Sequence, residues 1–223
     1  MTGHDFTLAG ARLTALPSGA LWWPAERLLC VSDLHLGKSE RLARRGGALL
    51  PPYETRATLA RLDADLAALA PSRVVCLGDS FDDGAAAGAL PEDERLWLRR
   101  LMAGREWVWI LGNHDPAPVD CGGTHRAELL AGPLSFRHIA EKTAEVSGHY
   151  HPKCRLAGGT RPCFLLDATR LILPAYGAYT GGLWCHDPVL AGLMGPGALA
   201  ILTGARALAI PMPRGGAQAC PRR

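Results

Sequence analysis

Residues of the types that can bind metal ions follow four separate apolar segments of the sequence. A single aspartate after such a segment is most often a turn residue or a helix cap, and a single histidine is most often an ordinary surface or core residue. The repetition of this arrangement at four segment ends argues instead for one shared site. The four groups are Asp33 and His35 in RLLCVSDLH, Asp79 in RVVCLGDSFDD, Asn113, His114 and Asp115 in WVWILGNHD, and His149 and His151 in AEVSGHYH. Together they offer carboxylate, imidazole and amide oxygen ligands, a combination that suits a divalent cation such as Mn, Fe or Zn.

The spacing of these residues predicts where they meet. The apolar segments are predicted strands, and the carboxyl ends of parallel strands lie along one edge of an α/β sheet, where ligands bind. In an extended segment residues i and i+2 point the same way, so Asp33 and His35 can face one point, as can His149 and His151. Because the candidate ligands outnumber those of a single tetrahedral ion, we expect two ions about 3.5–4 Å apart. Asp79 follows a glycine on the central strand and is the candidate for a carboxylate that bridges them.

Alternating strand and helix patterns in the first half of the chain predict the sheet that carries these residues. A helix is expected from about Tyr53 to Ala70, after a pair of prolines, and a second helix in PEDERLWLRRLMAG. This alternation favours a mostly parallel sheet covered by helices. The strands of this half are predicted at 6–8, 11–15, 20–23 and 28–31, and in RVVCLGD and WVWILG.

The second half predicts strands and hairpins, in LSFRH, AEVSGHYH, CFLLDATRLILP and GALAILTGARALAI, and no convincing helix. We therefore expect an α/β fold, an α+β sandwich in which two mixed β-sheets pack face to face with flanking helices. Residues 1–212 are expected to form a single domain, and residues 213–223 a disordered tail.

The composition narrows the class of protein. A chain of 223 residues with 48% hydrophobic content suits a packed domain with one sizeable core. The formal net charge of +3 is too small to indicate nucleic acid binding by itself. The seven cysteines include no C-x-x-C pair, so neither a zinc knuckle nor a disulfide framework is indicated. No signal-peptide pattern and no apolar run of about 18 residues is present, so we expect a cytoplasmic protein with no membrane partner.

The ordered set of motifs resembles a known family. D-x-H, G-D, G-N-H-D, a single histidine in FRH and G-H-x-H, spread over about residues 28–152, are similar to the motifs of the calcineurin-like metallophosphoesterases. In finer detail, SDLHLGKSERLARRGGALLPP, LGDSFDD, GHYHPK and LPAYGAYTGGL resemble the PdeM-type branch, phosphoesterases encoded beside DNA ligases in damage-response operons. The resemblance implies a calcineurin-like four-layer architecture and a DNA endonuclease or phosphodiesterase of the DNA damage response. It also implies a functional association with a DNA ligase and a helicase of the same operon.

Carried over to this sequence, the resemblance implies a role for each candidate residue. His114 would lie over the substrate phosphate as general acid or transition-state stabiliser, with Asp115 orienting its imidazole. Manganese is the expected metal, with iron or zinc as alternatives, and two ions would activate a bridging water to hydroxide near neutral pH. One ion would be bound by Asp33, His35 and His151 and the other by Asn113, His138 and His149, with Asp79 bridging them.

Two positions depart from the pattern of that branch. Asp82 stands where the branch usually has a histidine, and Ile139 and Ala140 stand where it has an acidic residue followed by proline. The first change can alter a hydrogen bond to a metal ligand and the metal preference. The second makes FRH less distinctive than the other motifs. The short interval from His138 to His149 leaves little room for a lid, which indicates an open cleft suited to a large substrate.

Basic residues beside the motifs are candidates for substrate binding. They could follow a DNA backbone through phosphate contacts, or simply solvate a helix face. We single out Lys38, Arg137 and Lys153, with Arg41, Arg44, Arg45 and Arg155 close by.

Two alternatives to a DNA-cleaving enzyme stay open. The same chemistry could act on nucleotides or cyclic nucleotides, and salt-dependent DNA binding would separate the two substrate classes. The fold could also serve as a non-catalytic scaffold, although intact ligands at every motif argue against that reading.

Overall fold

The structure, a computed structural model, describes residues 2–39, 41, 53–83, 86–115, 121–156 and 159–214. Its first β-sheet has seven strands in the order β1-β2-β3-β4-β5-β6-β7. Neighbours from β1 to β4 are antiparallel, and neighbours from β4 to β7 are parallel. The strands are β1 His4–Leu8, β2 Ala11–Ala15, β3 Leu21–Trp23, β4 Leu28–Val31, β5 Arg73–Leu77, β6 Glu106–Ile110 and β7 Thr124–Arg126.

The connections explain this change of strand direction within the first sheet. Short turns join the first four strands, and such turns favour antiparallel neighbours. The helix α1, Glu54–Leu69, separates β4 from β5 in the chain, and α2, Ala86–Ala89, and α3, Glu92–Met102, separate β5 from β6. Crossovers of that length allow parallel pairing. The expectation of a mostly parallel sheet is therefore right for β4 to β7 and wrong for β1 to β4.

The second β-sheet has eight strands, in the order β15-β14-β12-β13-β10-β9-β8 with β11 paired to β12. β10 runs parallel to β9 and β13, and the other neighbours are antiparallel. The strands are β8 Glu128–Ala131, β9 Leu134–Arg137, β10 Glu145–Ser147, β11 Lys153–Leu156, β12 Gly159–Leu166, β13 Arg170–Ile172, β14 Leu199–Leu202 and β15 Leu208–Pro211. The strands predicted for the second half of the sequence are thus present.

Alternation of side chains along the strands divides the protein into layers. Cys30, Val75 and Val108 of the first sheet share a buried core with Phe136 and Phe164 of the second sheet. Their neighbours on the same strands point the other way and pack against α1 and α3. The outer face of the second sheet packs against a short helix at Pro188–Leu193, with Cys154 of β11 in the same apolar cluster. The predicted architecture of two mixed sheets packed face to face between helical layers is confirmed.

The helix α4, Pro188–Leu193, was not expected from the sequence. Asp187 accepts a hydrogen bond from the Val189 N–H, and the proline occupies the first turn, which is a favourable helix start. The prediction of no convincing helix in the second half is therefore wrong. The sequence did not reveal this helix because six residues are too few to show a helical period. Among the described residues, no helix is long and apolar enough to cross a membrane. Residues 215–223 of the predicted tail lie outside the described residues, and the single domain stays a prediction.

Candidate metal centre

The parallel strands of the first sheet end side by side at the edge where the candidate residues lie. β4 leads into the loop of Asp33 and His35, and β5 leads into Asp79. The His35 N–H donates to the carbonyl oxygen of Asp79 at 2.9 Å, which joins the two loops. From the second sheet, the N–H of His149 donates to Oδ2 of Asp33 at 3.0 Å. Segments far apart in the sequence therefore converge at one edge, as the strand pattern predicts.

Three side chains form what we call the first cluster: Asp33, His35 and His151. One ligand atom from each lies within 4.8 Å of those of the other two, and His151 Nε2 lies 3.0 Å from Asp33 Oδ1. In the described part of the chain, Asp33 Oδ1, His35 Nε2 and His151 Nε2 are buried and make no hydrogen bond of normal geometry, although two of these atoms lie 3.0 Å apart. Buried polar atoms normally form such bonds. Three ligand atoms that face one another in this way are the arrangement expected at a cation site.

Asp82 fixes the orientation of one ring in the first cluster. Its Oδ1 lies 2.9 Å from Nδ1 of His35, and its other oxygen accepts a hydrogen bond from Nε of Arg41. With Nδ1 engaged in this way, Nε2 of His35 is the nitrogen that faces the cluster. A carboxylate behind a ligating histidine is the usual way in which proteins set the tautomer and the orientation of such a ring.

A second cluster contains Asp79, Asn113, His138 and His149. Ligand atoms of the three ionisable members lie within 4.8 Å of one another. His138 Nε2 is 2.9 Å from Oδ1 of Asn113, 3.2 Å from Nδ1 of His149 and 3.4 Å from Oδ2 of Asp79. The Nδ1–H of the same ring donates to the carbonyl oxygen of Leu77 at 2.8 Å. His138 therefore presents Nε2 to the other three candidate ligands.

Charges in the second cluster shift the protonation of its members. Burial alone would raise the pKa of Asp79, but the contact with His138 lowers it to about 2. Burial alone would lower the pKa of His138, but its hydrogen bond to Asp79 and the charges of Asp33 and Asp79 raise it to about 9. Burial and the neighbouring His138 lower the pKa of His149. In the absence of an ion, a proton on His138 supplies the positive charge that these ligands favour.

The backbone at the candidate ligands is unusual. Left-handed φ values are uncommon outside glycine and cost on the order of 1–3 kcal/mol each, so they concentrate at functional sites. Here the candidate ligands themselves have such φ values, so their segments are not extended. The side chains of residues i and i+2 do meet, as expected, but an extended backbone is not the reason. The left-handed ligand residues are Asp33, His35, Asp79, His149 and His151, with φ between 45° and 71°.

Glycine is required where the loops approach one another. Gly78 has φ +71°, and a Cβ at this position would lie 2.5 Å from Nδ1 of His138. A Cβ at Gly148 would lie 1.7 Å from Oγ of Ser32 and 2.6 Å from Oδ2 of Asp33. The glycines that precede Asp79 and His149 in the motifs therefore let the ligand loops pack directly on one another.

His114 lies beside the first cluster. Its ring is half-buried and meets the ring of His35 edge-on, with centroids 5.2 Å apart. Nδ1 is 2.9 Å from the carbonyl oxygen of Asp82, and the backbone N–H donates to Oδ1 of Asp79 at 2.8 Å. The ring is thus anchored through one nitrogen, and Nε2 is the nitrogen left for a substrate.

The family model described as calcineurin-like phosphoesterase matches residues 26–184, a range that contains both clusters and His114. The chain belongs to this family. The crystal structure of Pseudomonas putida nuclease MPE is similar to the protein over 93% of this chain and 100% of that chain, with a TM-score of 0.73 and 29% sequence identity. A comparison with curated proteins returned no match. The resemblance to the calcineurin-like phosphoesterases that the motifs indicated is confirmed.

The clustered residues fit the divalent metal ions of calcineurin-like phosphoesterases. The first cluster offers one carboxylate and two imidazoles, and the second offers a carboxylate, an amide oxygen and two imidazoles. Such mixed oxygen and nitrogen donors suit Mn, Fe or Zn. The three buried atoms of the first cluster supply an independent observation, because none makes a hydrogen bond of normal geometry and a cation would satisfy all of them at once.

Asp115 does not orient the His114 imidazole, so that expectation is wrong. Nδ1 of His114 instead meets a backbone carbonyl. Adjacent residues in a turn point in different directions, and the buried carboxylate captures free N–H groups of the loop that carries Asp79. Its role in this phosphoesterase is to fix that loop. The Asp115 oxygens accept from the N–H groups of Asp79 at 2.9 Å, Ser80 at 2.8 Å, Phe81 at 3.2 Å and Gly112 at 3.1 Å.

The three residues singled out for substrate binding have different surroundings. Nζ of Lys38 donates to the carbonyl oxygen of Tyr179 at 3.1 Å. Arg137 forms an ion pair with Glu141 at 2.5 Å and lines a cleft of about 250 Å³ beside the second cluster. Lys153 lies over an aromatic ring. Arg44 and Arg45 lie outside the described residues.

Sequence reasoning did not identify most of the side chains that contact the candidate ligands. Asp82 was noted as a departure from the branch that can alter a hydrogen bond to a metal ligand, but His35 was not identified as that ligand. Ser32, whose hydroxyl donates to Asp33, was not considered. Trp184 was not singled out either, since a tryptophan in an apolar stretch is usually a core residue.

Proposed function

We propose that the protein is a two-metal phosphodiesterase that cleaves DNA, with manganese as the working metal. The observation that carries this proposal is the first cluster, in which three buried ligand atoms face one another and make no hydrogen bond of normal geometry in the described part of the chain. The second cluster lies beside it and has the same kinds of donor. Two adjacent cation sites are the arrangement used for in-line displacement at phosphorus.

Each cluster would hold one ion. Asp33, His35 and His151 would bind the first ion, and Asn113, His138 and His149 the second. Asp79, whose loop joins both clusters, would bridge them. When bound, such a pair of ions activates a water molecule and neutralises charge on the phosphate.

His114 acts on the substrate rather than on the ions. Its ring lies beside the ring of His35 and is anchored through Nδ1, so Nε2 would meet the phosphate. As water attacks phosphorus in line, the bond to the leaving oxygen breaks, and the proton on Nε2 passes to that oxygen or stabilises its charge. Asp115 and the backbone carbonyl of Asp82 keep the loop and the ring in place for this step.

Three observations support DNA as the substrate. The similar solved structure is that of a nuclease. The finer motifs resemble the PdeM-type branch, and the clustered residues border an open cleft at Arg137. On the same resemblance we propose cytoplasmic action in the DNA damage response, in association with a DNA ligase and a helicase.

The test uses metal-stripped protein refilled with Mn. It is assayed in parallel on a chromogenic phosphodiester and on supercoiled, linear and single-stranded DNA, with His114→Ala as the control. Nicking of the circle that requires both Mn and His114 supports a DNA endonuclease. Hydrolysis of the diester with all DNA left intact would indicate that the substrates are small phosphodiesters. No hydrolysis with any divalent metal would overturn the proposal that the protein is a phosphodiesterase.

A further inference from the structure

A basic and aromatic surface lies immediately beside the first cluster. Nζ of Lys153 is 4.7 Å from the centroid of the Trp184 ring, and Cζ of Arg155 is 5.0 Å from the same centroid. The exposed ring of His186 lies nearly parallel to the tryptophan, at 7° with centroids 6.2 Å apart. We call these four residues the Trp184 surface.

Backbone pairing joins this surface to the candidate metal centre. The Lys153 N–H donates to Leu183 and the Cys185 N–H donates to Lys153, so the segment of Trp184 runs along the start of β11. That segment begins against the first cluster, since a Cβ at Gly182 would lie 2.0 Å from the carbonyl oxygen of His151. A chain bound at the ions would therefore reach the Trp184 surface directly.

The two basic side chains of this surface are not paired with acidic side chains among the described residues. Arg41 and Arg137, which lie on other sides of the centre, each pair with a carboxylate. In the described ranges, Lys153 and Arg155 form no ion pair with an acid and rest on an aromatic ring instead. A ring attracts a cation without neutralising it. Both residues therefore remain available to an anion.

The spacing of the two cations suits a chain of anions. Lys153 and Arg155 are i and i+2 residues of β11, so they project from one face about 7 Å apart. They form a line that leads away from His151. Positive groups along a track, combined with aromatic rings, are the features with which proteins bind single-stranded nucleic acid.

We infer that the Trp184 surface binds a polynucleotide strand next to the phosphodiester that is cleaved. Lys153 and Arg155 contact successive phosphates, Trp184 holds the two cations in position, and the exposed ring of His186 stacks on a base. This inference rests on the proposed function and adds a binding region outside the metal centre. A small diester occupies the ions alone and does not reach this surface.

The test compares two substrates of the Mn-loaded protein, a chromogenic diester and a single-stranded oligonucleotide. The oligonucleotide has about twenty nucleotides, so it is longer than the typical binding site of a single-strand-binding domain. In Lys153→Gln/Arg155→Gln, the ratio of kcat/KM for the oligonucleotide to that for the diester falls about tenfold. Arg12→Gln/Arg99→Gln removes the same charge and leaves the ratio unchanged. Arg12 lies near the start of β2 and Arg99 near the end of α3, at the sheet end opposite the site.

A binding measurement makes the inference independent of turnover. Fluorescence anisotropy of the labelled oligonucleotide is measured with Mn-loaded His114→Ala, with and without the substitutions Lys153→Gln/Arg155→Gln. We expect the dependence of log affinity on log salt to become shallower by on the order of 1.4, the value for two phosphates of a single strand.

The outcomes separate the two proposals. Oligonucleotide binding that needs Lys153 and Arg155 in a protein that hydrolyses no diester would uphold the surface and overturn the proposed catalysis. Unchanged oligonucleotide affinity, salt dependence and kcat/KM ratio in the double variant would overturn the surface. A parallel loss on both substrates would also overturn it, because the change would then act through the metal centre or the fold.

Discussion

Oδ1 of Asp82 lies 2.9 Å from Nδ1 of His35, and this contact directs Nε2 of the histidine toward Asp33 and His151. The carboxylate is buried, and its second oxygen is paired with Arg41. Burial alone would raise the pKa of Asp82, but His35 and Arg41 lower it. The aspartate is thus ionised when it meets the ring, which increases the basicity of the nitrogen that faces the first cluster.

Replacement of Asp82 is therefore expected to weaken binding of one of two metal ions. Asp82→Asn keeps the shape and removes the charge, and Asp82→Ala removes the hydrogen bond as well. We expect losses in Mn affinity of about tenfold and about a hundredfold, measured by calorimetric titration of metal-stripped protein. Asp93→Asn, an exposed aspartate that pairs with Arg56, is the control. If Asp82→Ala bound both Mn ions with unchanged affinity, the proposed effect of Asp82 on metal binding through His35 would be refuted.

His114→Ala is expected to retain metal and lose turnover. The ring meets the ring of His35 edge-on but is a member of neither cluster, so its removal leaves the donors of both clusters in place. General acid–base catalysis contributes about 10²–10⁴-fold to rate, so kcat on a chromogenic diester should fall by that order. Metal content is measured on the same sample, with His4→Ala on β1 as a control. A variant that keeps full activity, or one that loses bound Mn, would contradict this assignment.

The sequence was sufficient to predict that the candidate ligands converge and insufficient to orient them. Asp33, Asp79 and Asn113 follow apolar strands whose carboxyl ends must meet in a parallel arrangement, so local pattern and sheet geometry predict their convergence. The direction of each side chain depends on contacts between distant segments. Asp115 binds loop N–H groups rather than its neighbour His114, and the left-handed backbone at the ligands follows from packing that no local propensity records.

Gly78→Ala is expected to damage the second cluster as well as the backbone. The left-handed conformation alone costs about 1–2 kcal/mol when a Cβ is added. At Gly78 the added Cβ would also lie 2.5 Å from His138 Nδ1, so the ring must move away from Leu77. Gly104→Ala is a matched control, since Gly104 has φ +73° and open space around its Cβ position.

The comparison separates strain from crowding. Denaturant unfolding of both metal-free variants should show a larger loss of unfolding free energy for Gly78→Ala than for Gly104→Ala. Calorimetric titration should show weaker binding of the second Mn only in Gly78→Ala. Equal losses in both variants and unchanged metal affinity would mean that the close approach to His138 has no energetic consequence.

Binding of metal is expected to release a proton from His138. Asp79 and Asp33 overcome the effect of burial and raise the pKa of this histidine to about 9 in the metal-free protein, so it is protonated at pH 7.5. His149, with a lowered pKa, is already neutral there. A cation can bind Nε2 only after the proton leaves, so the second ion should release about one proton. Its affinity should rise with pH up to about 9 and level off above. Titration heats at pH 7.5, measured in two buffers of different ionisation enthalpy, give the number of protons directly. Heats that are the same in both buffers would show that His138 is neutral before the ion binds.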